Sequence, residues 1–488
     1  MTTAASAPAL ERALPVSASW WAGGKFRLIP RFENDPQVIV FAQTVPGKLL
    51  LLAVFGLGLS LLDGGWALKL ALVSCATFFP QARRAVVTVG TLLMTDFFWF
   101  ERGTLGTVTV HSAAGFSWIA ESVWIVLPFI LLCAGLMVLA KKCPQSPVAH
   151  RPLLTLMGIG TTLTAAACYV PLSGFPRFAF WAFLDTFCLY FWYLAYALSD
   201  CAKPQGDGLF RQAGTLHAFW GSTSVPLPKG ATHWRAIEAK TPEDLAIAMV
   251  KGVKLVLWCV LLTYVRKYYL LLIHDKLSIP TPGDCIGAFQ AGQPLAWGWN
   301  WLSWPDDLLQ ELMRLSIWGH ALIATCRMAG FRALRNTYAP LSSRTIAEFW
   351  NRYYFYFKEL LVDMFFYPIF IRCFKRNAKL RIFFATFIAA SVGNTIFHLI
   401  RSLHTVASFG LPIALHSIGN YFFYSVLLAL GIALSQIRSR KPTRTQGWFR
   451  ERILAPACVL GFYCFVHVFE VGSPIAGLRY FGFLLKGR

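Results

Sequence analysis

Hydrophobic runs recur along the whole 488-residue chain, and this distribution leaves few possible folds. Hydrophobic residues make up 56% of the sequence and charged residues 14%, and the mean hydropathy is +0.53. Soluble domains are closer to half apolar and a quarter charged. Since a helix needs about 20 apolar residues to cross a membrane, the sequence predicts an all-α polytopic membrane protein with about ten to twelve transmembrane helices and some re-entrant or interfacial segments.

The runs that fit this length define the predicted spans. They lie near 47–62, 66–81, 87–101, 119–140, 152–171, 177–198, 252–273, 308–328, 346–371, 381–400, 409–436 and 453–471. The second and third runs are short and carry Lys69 and Asp96, so we expect either of them to be re-entrant or interfacial.

The domain organisation follows from these runs. Residues 1–46 form a polar or interfacial N-terminal segment, and residues 47–488 form one membrane domain with polar insertions at about 200–250 and 276–306. In the first insertion, Thr241-Pro-Glu-Asp244 is a helix start signal, and it predicts an amphipathic helix at the membrane surface before the next span. The second insertion holds four tryptophans between Trp297 and Trp304, which predict an interfacial anchor or a carbohydrate-stacking platform.

The net charge of +22 comes from Lys and Arg in short loops. Segment 372–381 has five basic residues and no acid, and segment 438–452 has six basic residues against Glu451. Basic loops face the cytoplasm, so we place both segments inside. His398 then lies towards the outer end of its span, or in mid-membrane if that helix is tilted or broken. Anionic lipid headgroups explain this charge better than nucleic acid, which we do not expect as a partner. The 12 cysteines have no C-x-x-C or zinc-like spacing, so we expect buried thiols and no metal site.

The region 336–400 contains polar and ionisable side chains within membrane-length apolar sequence. They are Asn336, Pro340, Glu348-Phe349-Trp350-Asn351-Arg352, Lys358, Glu359, Asp363 and His398. Ionisable side chains at membrane depth cost a few kcal/mol each, so they are candidates for function.

This region resembles the signature of the membrane-bound O-acyltransferase family. Bacterial members carry N-x-x-x-P, then E-F-W-x-R-W-H, an aspartate and, some forty-five residues on, a histidine in an apolar helix. Here Phe397-His398 stands at the histidine position. Tyr353-Tyr354 replaces the family's Trp-His, and Leu399 replaces the glycine that usually follows the histidine. The likeness covers about 70 residues and is closest to bacterial polysaccharide O-acetylases and D-alanyl transfer proteins.

The resemblance implies an O-acyltransferase in a bacterial cytoplasmic (inner) membrane, with helices around a central tunnel. It would move an acyl group, expected to be acetyl, from a thioester donor to an extracytoplasmic hydroxyl. The donor would be acyl-CoA or an acyl carrier, and no tightly bound cofactor is implied. The acceptor would be an envelope polysaccharide, a lipid or a secreted small molecule, and envelope-assembly proteins are possible partners.

Acyl transfer assigns roles to these residues. It needs a base for the alcohol proton and a donor for the developing oxyanion. His398, held neutral by its apolar surroundings, is the predicted base, Tyr354 is a predicted hydrogen-bond donor, and Asn394 lies one helical turn before His398. The remaining assignments complete the set: Trp350, Asn351, Arg352 and His320 as substrate-binding residues, and Asn336, Pro340, Glu348 and Asp363 as structural residues of the motif.

Two other classes of protein fit part of the pattern. A secondary transporter has a similar number of spans and sparse intramembrane acids, although it usually has paired halves, and this chain has no detectable internal repeat. A non-catalytic scaffold of an envelope-polymer system fits if the tyrosine at 354 has abolished activity. Glu359 and Asp363, four residues apart, lie on one helix face. Structural ion pairing with Lys358 or a neighbouring arginine fits them as well as a role in binding substrate does.

Overall fold

The computed structural model describes residues 21–22, 25–26, 28–98, 122–221, 225–438, 447–470 and 473–487. The predicted all-α class is confirmed: apart from two paired two-residue strands, β1 (Trp21–Ala22) and β2 (Lys25–Phe26), the regular elements of the described residues are helices. The predicted span at 87–101 runs into residues outside these ranges, so only its first part is described.

The helices of the N-terminal half are α1 Pro36–Gln43, α2 Val45–Ser60, α3 Trp66–Phe78, α4 Arg83–Phe98, α5 Leu127–Lys142, α6 Pro147–His150, α7 Pro152–Tyr169, α8 Gly174–Cys201, α9 Leu209–Ala213 and α10 Ala231–Ile237. Those of the C-terminal half are α11 Pro242–Leu270, α12 Pro282–Gln290, α13 Trp297–Met328, α14 Ile346–Tyr353, α15 Phe355–Leu361, α16 Tyr367–Arg372, α17 Ala378–Ile388, α18 Asn394–Arg401, α19 Leu403–Phe409, α20 Leu411–Ile437, α21 Ala455–His467 and α22 Pro474–Lys486.

Several helices are long and apolar enough to cross a membrane, which indicates a multi-pass integral membrane protein. Among the described residues there are six: Trp124–Lys142, Pro152–Tyr169, Gly174–Cys201, Pro242–Lys276, Ala378–Arg401 and Leu411–Ile437. A seventh is possible if α1 and α2, which meet at a 96° bend, form one broken span. This bend lies just before the first predicted span, at 47–62. We expected re-entrant or interfacial segments at the second and third predicted spans instead.

Other predicted spans have a different form. Helix α13 is 32 residues long, but Asp306, Asp307, Glu311 and Arg314 interrupt its apolar surface. The span predicted near 453–471 contains a 13-residue α-helix, α21, preceded by a π-helical turn at Arg450–Leu454. The span predicted at 346–371 is not one helix, because the chain breaks at Tyr354.

The start signal at Thr241 is used as predicted. The Thr241 hydroxyl accepts a hydrogen bond from the Asp244 backbone N–H at 3.0 Å. The prediction of a separate amphipathic helix at the membrane surface, however, was wrong. Helix α11 continues without interruption into the next span, and its first turns bury Leu245 and Met249. No glycine or proline breaks this stretch strongly enough to end the helix, and burial against the protein core replaces the expected contact with lipid.

The insertion at 200–250 also contains an irregular segment inside the protein. Residues 225–231 are buried but belong to no helix until α10 begins at Ala231. Their polar groups have protein partners: the Leu227 N–H donates to the Tyr193 hydroxyl at 3.3 Å, and the Ala231 N–H donates to Gln212 Oε1 at 3.2 Å. Irregular backbone at membrane depth is tolerated only when it is enclosed in this way.

A candidate functional site around His398

The break in the predicted span 346–371 positions the motif. Helix α14 ends at Tyr353, Tyr354 has a non-helical backbone, and α15 begins at Phe355. A broken helix leaves carbonyl groups at one end without helical partners. Two of them are satisfied by the segment after α13: the Tyr338 N–H donates to the Arg352 carbonyl at 2.8 Å, and the Thr337 hydroxyl donates to the Tyr353 carbonyl at 2.9 Å.

Asn336 satisfies the other side of the break. Its carbonyl accepts the Phe355 N–H at 2.9 Å, and its side-chain Oδ1 accepts the Tyr356 N–H at 3.3 Å. Asn336 is fully buried and packs against Gly319, where a Cβ atom would lie 2.9 Å from the Asn336 amide nitrogen. Asn336 therefore caps α15, which gives the first residue of the motif a structural role.

The other predicted motif residues lie near the surface of α14. Pro340 follows Ala339, which has a left-handed backbone with φ of +46°. The Arg352 guanidinium pairs with Glu348 at 2.6 Å and donates to the Ser342 hydroxyl at 2.7 Å. This pair holds the 340–342 turn against α14 and is distinct from the aromatic contacts of His398.

The predicted substrate-binding residues do not form one group. Asn351 is exposed, whereas Trp350 is half-buried, with its ring 5.9 Å from that of Phe357. His320 is buried on α13 next to Gly319, and so lies beside the Asn336 cap. Of these residues, Trp350 is the one connected through an aromatic contact to the surroundings of His398.

His398 is half-buried on α18 and surrounded by aromatic rings. The ring of Tyr421, on α20, lies 4.3 Å away, that of Phe397 5.4 Å and that of Phe357 6.5 Å. Helix α18 follows a π-helical turn, Ala389–Gly393, and π-helical turns are frequent at functional sites. Gly393 permits close packing there, because a Cβ atom would lie only 2.8 Å from the Phe365 ring.

Asn394 belongs to the same group through Tyr421. Its amide nitrogen donates to the Ser425 hydroxyl at 3.3 Å, and its Oδ1 accepts the Tyr421 hydroxyl at 3.4 Å. The spacing of four residues predicted that Asn394 would lie beside His398 and help to orient it. In the structure the hydrogen bonds of the Asn394 side chain are made to α20, so Asn394 orients the tyrosine that lies against the His398 ring.

Tyr354 is separated from His398 by Phe357. The Phe357 ring centroid lies 5.2 Å from that of Tyr354 and 6.5 Å from that of His398. Arg401, at the end of α18, is within electrostatic range of both Tyr354 and His398. The tyrosine whose ring lies against the histidine is therefore Tyr421, which the sequence did not indicate.

A titratable pair, His467 and Glu470, lies near His398 and Tyr421. His467 Nδ1 is 3.0 Å from Glu470 Oε2, and the His467 ring is 5.8 Å from that of Tyr424. The Tyr424 ring is in turn 5.3 Å from that of Tyr421. Aromatic rings thus connect His398 to a partly exposed carboxylate. The sequence contained no signal for this, since a single histidine at the end of the last predicted span has no recognisable spacing.

Asp363 forms an ion pair, as the sequence predicted for an acid at membrane depth. Its partner, however, is Lys229, which is far away in sequence. Its carboxylate accepts from Lys229 at 2.8 Å and from the Tyr196 hydroxyl at 2.6 Å. Lys229 also lies 3.8 Å from Glu359, so both acids of α15 and the following turn face the same cation. Lys229 lies in the irregular segment 225–231, and the pair attaches this segment to the motif helices.

The space beside the site is small. A cavity between Trp192, Tyr193, Pro226, Phe397 and Arg401 has a volume of about 10 Å³, enough for one water-sized group. A substrate needs a wider path, and the predicted tunnel between the two membrane faces stays a prediction. In the part of the chain that the structure describes, no cluster of three or more His, Cys, Asp or Glu side chains is arranged to bind a metal ion.

Comparison with known protein families and with characterised proteins found no match to this chain. The resemblance to the membrane-bound O-acyltransferases therefore rests on the residues of the 336–400 region alone. What the fold and composition define is a coarser class, a multi-pass integral membrane protein.

Proposed function

We propose that the chain is a membrane-embedded O-acyltransferase and that His398 is its general base. The observation that carries the proposal is the group formed by His398, Tyr421 and Asn394: a histidine in a membrane-length helix lies against a tyrosine whose hydroxyl is held by an asparagine one turn away. General-base acyl transfer needs these elements, a proton acceptor and a hydrogen-bond donor in a site with little water.

In the proposed reaction, His398 takes the proton of the acceptor hydroxyl as its oxygen attacks the carbonyl carbon of the thioester. The oxyanion that forms accepts a hydrogen bond from a polar group of the site, for which the Asn394 amide nitrogen is the candidate, because it has a second N–H besides the one donated to Ser425. The single hydroxyl proton of Tyr421 is donated to Asn394 Oδ1 and holds this amide in place. The carbon–sulfur bond then breaks, and the departing thiolate takes the proton from His398. The products are the ester and a free thiol, and the histidine is neutral again.

The proposed donor is acyl-CoA or an acyl carrier, and the proposed acceptor is an envelope polysaccharide, a lipid or a secreted small molecule. Support for a phosphate-bearing donor comes from the basic segment between α16 and the first turn of α17, where Lys375, Arg376 and Lys379 are exposed. The bacterial cytoplasmic membrane and envelope-assembly partners belong to the same proposal, because they follow from the family likeness.

The test is mass spectrometry of envelope polymers and lipids from cells that carry the wild-type protein or His398→Ala. We expect an acyl ester to be missing in the variant, with turnover reduced by roughly 10²-fold or more. His416→Ala is the matched control, since His416 is an exposed histidine on neighbouring α20, and it should leave acylation unchanged. Unchanged acylation in His398→Ala, together with lost transport of a solute, would replace the enzyme by the transporter.

A further inference from the structure

An amphipathic pocket lies between α11, α13 and the turn that joins α2 to α3. It has a volume of about 210 Å³. Two arginines, Arg266 and Arg314, and one acid, Asp63, line it together with apolar side chains that include Leu62 and Trp318. The pocket is separate from the cavity beside Phe397, and nothing in the proposed acyl transfer uses it.

Arg266 is an unusual residue for its position. It belongs to Pro242–Lys276, a membrane-length helix whose mean hydropathy reaches 2.2. Its Nε atom is buried and has no hydrogen-bond partner among the residues that the structure describes. A guanidinium donor buried without an acceptor is costly, and such groups call for a bound partner.

The acids near the pocket are occupied by other cations. One oxygen of Asp63 accepts from Lys69, and the other accepts the Gly65 N–H at 2.8 Å. Both oxygens of Glu311 accept from Arg314, each at 2.6 Å. The pocket therefore has a net positive charge, which comes from Arg266, and it is complementary to an anion.

The exposed tyrosines near the pocket and its apolar walls indicate which kind of anion it would bind. Tyr264 and Tyr268, next to Arg266 on α11, are exposed, as is typical of tyrosines at the membrane–water interface. Leu61 and Trp318 are also exposed at the pocket, so apolar surface for a hydrocarbon chain adjoins the arginine. Basic pockets between membrane helices bind phospholipid headgroups, and arginine pairs well with phosphate.

We infer that this pocket is a binding site for one anionic phospholipid, with the lipid phosphate on Arg266 and an acyl chain against Leu61 and Trp318. Arg314 connects the site to the motif, since its guanidinium is within electrostatic range of Tyr353 and Tyr354. A bound lipid at this position would stabilise α11 and α13 against each other beside the candidate site.

Native mass spectrometry of the full chain, reconstituted with equal amounts of phosphatidylglycerol and phosphatidylcholine, tests the inference. We expect the wild type to retain phosphatidylglycerol about tenfold over phosphatidylcholine, a difference of about 1.4 kcal/mol. Arg266→Gln should abolish this preference. Lys267→Gln, which removes the neighbouring exposed charge, should keep it, and Arg266→Lys should keep part of it because the cation remains.

Two results would overturn the inference: equal preference in Arg266→Gln and wild type, or displacement of the lipid by millimolar inorganic phosphate, which would indicate a site for free phosphate. If Arg266→Gln does not fold, the inference is tested by the effect of the two lipids on the wild-type protein alone. Phosphatidylglycerol should then raise the Tm of the wild-type protein and phosphatidylcholine should not, whereas equal effects of the two lipids would contradict a charge-selective site.

Discussion

At the scale of single residues, Tyr421 is the most informative side chain of the candidate site. Its ring contacts that of His398 at 4.3 Å, and its hydroxyl donates to Asn394. Tyr421→Phe keeps the ring and removes the hydroxyl. If the hydroxyl aligns the reacting groups, kcat should fall about tenfold, or by about 1.4 kcal/mol in the barrier, with KM nearly unchanged.

Acylation by purified variants measures this effect. Tyr264→Phe, at an exposed tyrosine on α11, is the control and should match the wild type. A Tyr421→Phe variant with the wild-type kcat would show that the hydroxyl has no part in the mechanism. A loss of folded protein as large as the loss of activity would assign Tyr421 a packing role instead.

The sequence could identify His398 and Asn394 but not Tyr421. The first two are four residues apart on one helix, so their relation follows from helical geometry. Tyr421 is on another helix, and its contact with His398 depends on how α18 packs against α20. Lys229 was missed for the same reason: it lies in a proline-containing loop, 134 residues from the Asp363 that it contacts.

At the scale of elements, the break at Tyr354 depends on the Asn336 cap. Asn336→Ala removes the acceptor of the Tyr356 N–H, which is buried. Leaving such a donor unsatisfied costs about 1–3 kcal/mol, so we expect a lower Tm in detergent and less folded protein. Asn351→Ala, at an exposed asparagine of the same motif, should change stability by less than about 0.5 kcal/mol. Equal Tm values for the two variants would contradict the capping role.

The ion pair between Lys229 and Asp363 joins the irregular segment 225–231 to the motif helices. Breaking a buried pair costs about 3–5 kcal/mol, and since 33% of the Asp363 side chain is exposed, we expect Asp363→Ala to cost less, about 2 kcal/mol. Protein yield and Tm should fall more than activity per folded molecule. Lys229→Met combined with Asp363→Leu should restore the yield, because no unpaired charge remains. Normal yield with lost activity in Asp363→Ala would make Asp363 a catalytic residue.

The limits of prediction at this scale have a common cause. Local signals such as the Thr241 cap were correct because they depend on neighbouring residues. Apolar sequence from 346 to 371 predicted one span, and the chain breaks there because residues 336–338 supply the hydrogen bonds that the helix loses. A hydropathy pattern contains no information on partners that come from another segment.

At the scale of the whole molecule, hydropathy was sufficient to predict an all-helical membrane protein, because burial of backbone polar groups in lipid leaves few alternatives. It was less reliable for the number of spans. Helix α13 is long enough to cross, but it carries four charged side chains near its middle and is not among the six apolar membrane-length helices of the described residues. The polar segments between spans, which composition identified only as insertions, fold against the membrane helices.

Those insertions should make the stability of the whole protein sensitive to acid. His217 lies in the 200–250 insertion, outside the spans, and burial, reinforced by the Lys69 ammonium, lowers its pKa from 6.5 to about 4. The unfolded chain therefore binds a proton at this site more readily than the folded chain. The contribution of His217 to stability is complete above pH 6.5 and is lost as the pH falls towards 4.

We expect the Tm in detergent to fall over this pH range and His217→Phe to reduce the slope. The phenylalanine ring can keep the edge contacts of His217 with Tyr190 and Tyr193, at 5.0 and 5.3 Å, and the His217 Nε2 atom has no hydrogen-bond partner among the described residues that would be lost. Other groups also titrate in this range, so the difference between variant and wild type is the relevant quantity. His416→Phe, at an exposed position, should keep the wild-type slope. An unchanged slope in His217→Phe would mean that His217 can be protonated without unfolding, and that the insertion opens to water before the membrane helices separate.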